Sequence, residues 1–125
     1  MQESGENYLK TIYLLQNEGG TVHSVDVARA LNFSKPSVSR AMGLLKDEKY
    51  IEIAKNGVIT LTGNGRKKAK EIVDKQETLT RFFMVTADVP EELAAQEACK
   101  MEHFVQDKTY KGICRFMKQV DEYQE

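Results

Sequence analysis

The sequence predicts a mainly α-helical protein with one small β-hairpin, and three observations support this prediction. Apolar residues recur every three to four positions in six segments, which is the spacing of an amphipathic helix. Residues 50–61 instead alternate apolar and polar side chains around a glycine, as a pair of short strands does. Serine, threonine, glycine and proline stand at the segment boundaries, where helices are capped or broken.

The first helix is predicted over residues 5–17, where Leu9, Ile12 and Tyr13 lie on one side. Gly19-Gly20 ends it, because glycine readily adopts the turn that follows a helix. The chain is therefore expected to begin with an amphipathic helix that packs this side against a core.

Two short helices joined by a tight turn are predicted next. Residues 25–31 follow Ser24, whose hydroxyl can accept a hydrogen bond from an open backbone N–H. A second segment follows Ser34, has Pro36 in its first turn and reaches about Lys49. Two short helices connected in this way form a helix-turn-helix.

A β-hairpin is predicted directly after these helices. Residues 50–54 and 58–61 have strand character, and the Lys-Asn-Gly sequence of residues 55–57 is a hairpin turn signal. The hairpin completes a winged helix-turn-helix.

Three further helices are predicted after the hairpin. The first is capped by Thr62 and reaches about Thr86, and the second starts at Pro90 and reaches about Val105. The last covers roughly residues 107–120, and the polar tail after it is expected to fray. These elements divide the chain into a winged unit, residues 1–63, and a helical unit, residues 64–125.

Charge is segregated along the chain. The net charge is −1, yet residues 34–70 hold nine basic and three acidic side chains. That segment carries +6 and the rest carries −7. A basic middle in an acidic molecule indicates a polyanion-binding face, although a solvated charged surface has the same composition.

The second helix of a helix-turn-helix enters the major groove of DNA, and its N-terminal side chains reach the base edges. Arg40 is the best candidate for reading a guanine, because the guanidinium fork matches the two acceptors of that base. The alternative is a winged helix that serves as a protein-interaction module. The candidate DNA-contacting residues are Ser34, Lys35, Pro36, Ser37, Ser39 and Arg40 in the helix, and Lys55 and Asn56 at the wing tip.

A second candidate site lies late in the chain. Cys99, Glu102 and His103 are spaced i, i+3 and i+4, which places them on one face of a continuous helix. A thiolate, a carboxylate and an imidazole together suit iron, nickel, cobalt or zinc better than calcium or magnesium. The alternative is a core cysteine beside a solvated Glu-His pair.

Several classes of protein are not expected. The chain has no long apolar run and no leader sequence, so neither a membrane span nor a secretory signal is predicted. Two cysteines cannot form a disulfide framework, which favours a reduced, cytoplasmic setting. His23 and His103 are far apart, and no nucleophile motif or phosphate loop is present. We therefore expect neither an enzyme nor a small organic substrate.

The chain resembles the DtxR/MntR family of metal-dependent transcriptional repressors over roughly residues 5–117. The order and spacing of five stretches together carry the resemblance. They are Tyr8-Leu-Lys-Thr-Ile-Tyr13, Val27-Ala-Arg-Ala-Leu31, Ser34-Lys-Pro-Ser-Val-Ser39, Leu61-Thr-Gly-Asn-Gly65 and Glu97-Ala-Cys-Lys-Met-Glu-His103.

The resemblance implies a winged helix joined to a helical dimerisation and metal-binding domain. It further implies a homodimer that represses from a palindromic operator in double-stranded DNA, with Fe²⁺ or Mn²⁺ as corepressor; Zn²⁺, Co²⁺ or Ni²⁺ would bind in vitro. The chain is expected to be a short form without an SH3-like third domain. The implied mechanism is that metal ties the first helix to the fifth and sets the two reading helices one DNA turn apart, about 34–36 Å.

The family's metal ligands carry over unevenly. Cys99, Glu102 and His103 match three ligands of the iron-type site. The amide oxygen of Asn7 stands where the family has an Asp or Met ligand, and Gln76 replaces a histidine.

Other family positions depart further. Lys10 stands where manganese-type members have a glutamate, and an ammonium is not a ligand. Thr80 and Ala95 replace an acid and a histidine, so the second metal site of the family is expected to be absent, with one metal per subunit. Asn7, Lys10 and Gln76 also leave open a winged-helix regulator that has lost metal control.

Overall fold

Within residues 3–124, which the structure describes, the computed structural model has six helices and one antiparallel hairpin. The predicted fold class is confirmed. In the hairpin Ile51 pairs with Leu61, and Ile53 pairs with Ile59. The elements are α1 (Glu3–Asn17), α2 (Ser24–Leu31), α3 (Lys35–Asp47), β1 (Ile51–Ile53), β2 (Ile59–Leu61), α4 (Gly63–Ala87), α5 (Glu91–Met101) and α6 (Asp107–Gln124).

The chain divides into two compact units, the first ending at Glu71 and the second beginning at Ile72. The division falls inside α4, one long helix that the two units share. The domain boundary predicted from the sequence lies between residues 63 and 64, at the start of this same helix.

In the first unit, α1, α2 and α3 pack around a common apolar core. The hairpin joins this core, and the N–H of Ile59 donates to the Val22 carbonyl at 2.8 Å. Burial of each large aliphatic side chain contributes about 1.5–3 kcal/mol. Leu9 and Ile12 of the predicted apolar side of α1 are buried here, and the other fully buried apolar side chains include Val27, Val38, Met42, Leu45, Ile51 and Ile59.

The two helices of the helix-turn-helix start differently. Ser34 caps α3 as predicted, because its hydroxyl accepts a hydrogen bond from the Ser37 N–H at 3.4 Å. The predicted cap of α2 is wrong by one residue, since Ser24 is already helical and His23 is the N-cap. The Asp26 carboxylate accepts the His23 N–H at 2.8 Å, which starts the helix at that earlier position.

The wing tip is a tight turn. The side chain of Asn56 accepts a hydrogen bond from the Val58 N–H at 3.2 Å, and the Gly57 N–H donates to Ala54 at 2.9 Å. Gly57 has a φ of 86°, which glycine adopts without steric cost. The strands are shorter than predicted, three residues each.

Thr62 caps α4 as predicted and links it to the hairpin. Its hydroxyl accepts the Gly65 N–H at 3.0 Å and donates to the Lys49 carbonyl at 2.7 Å. Its N–H donates to the Tyr50 carbonyl at 3.0 Å. These three hydrogen bonds of Thr62 therefore fix the start of the helix beside the first strand.

The second unit contains the remainder of α4 with α5 and α6. Phe82 and Phe116 meet edge to face, with ring centroids 5.9 Å apart. The most buried apolar residues of this unit are Ile72, Leu79, Ala94, Ala98 and Met117.

The end of α5 differs from the prediction. The helix ends at Met101 instead of about Val105, because the N–H groups of Phe104 and Val105 both donate to the Met101 carbonyl, at 3.0 and 3.1 Å. A tight turn therefore replaces the last predicted helical turn, and Phe104 is 66% exposed.

The last helix also differs from the prediction, because α6 continues past the expected end near Val120 as far as Gln124. An ion pair between Arg81 and Asp121 joins the added turn to α4. Among the helices of residues 3–124, none has the length and apolar character that a membrane crossing requires.

Candidate nucleic-acid interface and metal centre

The predicted reading face of α3 is exposed. Val38, Met42 and Leu45 are buried and hold one side of the helix against the core. The opposite side therefore presents its side chains to solvent. The residues named for DNA contact at this end of the helix are all exposed: Ser34, Lys35, Pro36, Ser37, Ser39 and Arg40.

Among these residues, Ser34 and Ser37 make side-chain hydrogen bonds within the chain, whereas the Arg40 side chain makes none with the residues that the structure describes. The Ser34 hydroxyl donates to the Ser37 hydroxyl at 2.8 Å and also accepts the Ser37 N–H, so both hydroxyls are engaged within the chain. Among the hydrogen bonds and ion pairs of residues 3–124, none involves the Arg40 guanidinium. Its five N–H donors are available to a ligand.

The wing supplies further polar groups. Lys55 is exposed, and Asn56 uses only its carbonyl oxygen in the turn, so its amide N–H groups are able to donate. The basic start of α4 is less available than its sequence indicates. Lys68 lies 3.7 Å from the Glu6 carboxylate, and Arg66 donates to Gln16.

The candidate metal centre has a buried acid beside a buried imidazole. Glu102 is the C-cap of α5, and its N–H donates to the Ala98 carbonyl at 2.9 Å. Its Oε1 lies 3.5 Å from His103 Nε2, and the two side chains are 1% and 3% exposed. Burying a carboxylate costs several kcal/mol unless neighbouring groups compensate it, so this placement requires an explanation.

The three predicted ligands lie at the end of α5 and in the turn after it. Cys99 is half-buried within α5, whereas Glu102 and His103 lie in the turn after it. In the part of the chain from residue 3 to 124, no three His, Cys, Asp or Glu side chains lie close enough together to hold one ion. The three-ligand set stays a prediction.

The chemistry of these donors nevertheless suits a divalent first-row ion. A carboxylate and an imidazole are already adjacent, and a thiol lies one helical turn before them. Nitrogen, oxygen and sulfur donors together favour iron, nickel, cobalt or zinc over calcium. Glu102 and His103 are therefore the core of the candidate site.

The other metal-related positions lie in α1 and α4. Asn7 is half-buried, and Lys10 is 8% exposed. Thr80 uses its hydroxyl to donate to the Gln76 carbonyl at 2.8 Å, within the same helix. Ala95 offers no donor at all. The roles predicted for Asn7 and Gln76, and the absence of a second site, stay predictions.

A polar cluster that was not predicted from the sequence lies next to the candidate site. Lys75 of α4 donates a hydrogen bond to the Val105 carbonyl, and its ammonium lies 5.7 Å from the centroid of the Tyr110 ring. The Tyr110 hydroxyl lies 3.4 Å from that of Thr78. A signal was present, because Lys75 is three residues after Ile72 and so stands on the inward stripe of the helix.

Two family models match most of the chain. Residues 1–58 match the iron dependent repressor, N-terminal DNA binding domain. Residues 62–124 match the iron dependent repressor, metal binding and dimerisation domain. The exposed face of α3 lies in the first match, and the Glu102–His103 pair lies in the second.

Individual relatives agree with these matches. The chain is 32% identical over 119 residues to an uncharacterized HTH-type transcriptional regulator of Methanocaldococcus jannaschii, covering 94% of this chain and 95% of that one. The crystal structure of T. acidophilum IdeR has a TM-score of 0.79 at 25% identity, over 90% of this chain and 53% of that one. The manganese regulator SloR has a TM-score of 0.80 at 25% identity, with 91% and 53% covered. The chain spans about half the length of the curated iron-dependent repressors that it matches.

Proposed function

The chain belongs to the iron-dependent repressor family, and we propose that it is a metal-responsive repressor that binds palindromic operator DNA as a homodimer. The observation that carries this proposal is the exposed, polar N-terminal part of α3, which includes the exposed Arg40. Because its target is DNA, we propose that it acts in the cytoplasm.

Metal control is the second part of the proposal. A bound Fe²⁺ or Mn²⁺ would supply a positive charge to Glu102, His103 and Cys99. Glu102 would offer the ion a carboxylate oxygen, and His103 would offer it a neutral ring nitrogen. The family description names iron, and the structural relative SloR is described as a manganese regulator, so these are the two metals that we propose.

The homodimer is the third part. The second unit exposes a set of large apolar side chains, and such surfaces commonly mark an interface with another protein. A second copy of the chain is the occupant that we propose. The exposed residues are Met84, Val85, Leu93, Met101, Phe104 and Phe116.

The decisive experiment is an operator titration. A duplex is selected from a random library by the protein with Mn²⁺ under anaerobic conditions, and its affinity is then measured with Mn²⁺ and with chelator. We expect at least about tenfold tighter binding with metal. Equal affinity in both would favour a regulator without metal control, and no salt-dependent binding to any duplex would favour a protein-interaction module.

Arg40→Ala is expected to weaken binding to the selected operator by about 1–3 kcal/mol and to relax the preference at a single guanine. Lys55→Ala is the control. Loss of a phosphate contact should weaken binding to all sequences equally and reduce the slope of log affinity against log salt concentration by about one. Repeating the selection with both variants measures the two effects. An unchanged base preference in Arg40→Ala would contradict the assignment.

A further inference from the structure

The turn between α5 and α6, residues 102–106, carries two of the proposed metal ligands and is held from both flanking helices. From α5, the Met101 carbonyl accepts the N–H groups of Phe104 and Val105. From α6, the Tyr110 N–H donates to the Gln106 carbonyl at 2.9 Å. These bonds fix the two ends of the turn to its own neighbours in sequence.

A long-range anchor comes from α4. The Lys75 ammonium donates to the Val105 carbonyl, two residues after His103. The same ammonium lies 5.7 Å from the Tyr110 ring, within the range of a cation–π interaction. Lys75 therefore connects the turn to two helices at once.

The aromatic partner of this lysine is itself fixed. The Tyr110 hydroxyl hydrogen-bonds with the Thr78 hydroxyl at 3.4 Å. Burial raises the pKa of the Tyr110 phenol, so the hydroxyl stays protonated at neutral pH. The ring is thereby held in place between α4 and α6.

We propose that Lys75 is a positioning residue for divalent-metal binding, because it fixes the turn that carries Glu102 and His103. The inference rests on the proposed metal-responsive function. A turn that is ordered before the ion arrives loses less conformational freedom on binding, and the affinity is correspondingly higher. A methionine at this inward position would fill the same space, so packing alone does not require a lysine there.

The test compares three variants by anaerobic titration with Co²⁺, whose visible absorption reports ligand geometry. Lys75→Met is expected to bind Co²⁺ about tenfold more weakly than the wild-type chain, with shifted absorption bands. Lys75→Arg keeps both the charge and the donor, so it should stay within about threefold. Lys118→Met, an exposed lysine of α6, is the matched control and should match the wild type.

A second readout needs no metal. Amide hydrogen exchange at residues 102–106 should be faster in metal-free Lys75→Met than in the wild type. If Lys75→Met does not fold, Lys75→Ala decides by the same two measurements, since alanine preserves helix propensity.

The failures of the two proposals are distinguishable. If the wild-type chain bound no Co²⁺, Mn²⁺ or Fe²⁺, the proposed metal-responsive function would be contradicted, independently of the results for the variants. A wild-type chain that binds Co²⁺ while Lys75→Met binds it equally, with unchanged bands and exchange, would overturn the role of Lys75 alone.

Discussion

Glu102→Gln is expected to weaken Mn²⁺ binding by about 100-fold, equivalent to about 2.8 kcal/mol. The glutamine amide has the size of the carboxylate but no charge, so the change removes the attraction without opening a cavity. Losing one partner of a buried charged pair commonly costs about 2–5 kcal/mol. Anaerobic calorimetric titration measures the affinity, and far-UV circular dichroism verifies the fold.

The control for this substitution is Glu97→Gln, an exposed glutamate on α5. It has the same chemical change and should leave Mn²⁺ affinity within about twofold. Operator affinity in Glu102→Gln should then be the same with Mn²⁺ and with chelator. Full Mn²⁺ affinity in Glu102→Gln would place the metal elsewhere or remove it from the mechanism.

Most of the first unit was predictable because its signals are local. Ser34 and Thr62 cap the helices that follow them, and the Lys-Asn-Gly turn forms the wing tip. Each signal depends on a backbone group only two or three residues away. The prediction of Ser24 as the cap was wrong because the Asp26 carboxylate accepts the His23 N–H, which makes His23 the N-cap.

The second unit was less predictable because its ends depend on distant or competing contacts. Phe104 and Val105 continue the apolar pattern of α5, yet the chain leaves the helix at Met101 and exposes Phe104. The end of α6 depends on Arg81, which pairs with an acid forty residues later.

The end of α5 also decides how the candidate site is arranged. The i, i+3, i+4 spacing of Cys99, Glu102 and His103 describes one face only where the helix is continuous. In the structure Cys99 lies within α5, Glu102 is its C-cap, and His103 lies in the turn that follows. The spacing places the three donors close together in sequence, and their acting as one ligand set stays a prediction.

Gly65→Ala is expected to lower the free energy of unfolding by about 3 kcal/mol, the upper part of the range for overpacking. A methyl carbon at Gly65 would lie 1.9 Å from the Tyr50 carbonyl oxygen and 3.3 Å from Leu61 Cδ2. The nearer obstacle is backbone, and the Thr62 N–H holds that carbonyl at 3.0 Å, so the helix and the hairpin must separate. Gly63→Ala, with open space around it in the same helical turn, is the control.

The two alanine substitutions are therefore expected to change the free energy of unfolding in opposite directions. In Gly63→Ala the loss of unfolded-state freedom should stabilise the chain by about 0.4–1 kcal/mol, because nothing opposes the new methyl group. Urea unfolding of both variants at one protein concentration measures the difference through the midpoints. Because the wing carries Lys55, the displaced hairpin of Gly65→Ala should also weaken operator binding. If Gly65→Ala were as stable as the wild type, α4 would be able to move away from the first strand at no cost. The close approach of Gly65 to Tyr50 would then not fix the position of the wing.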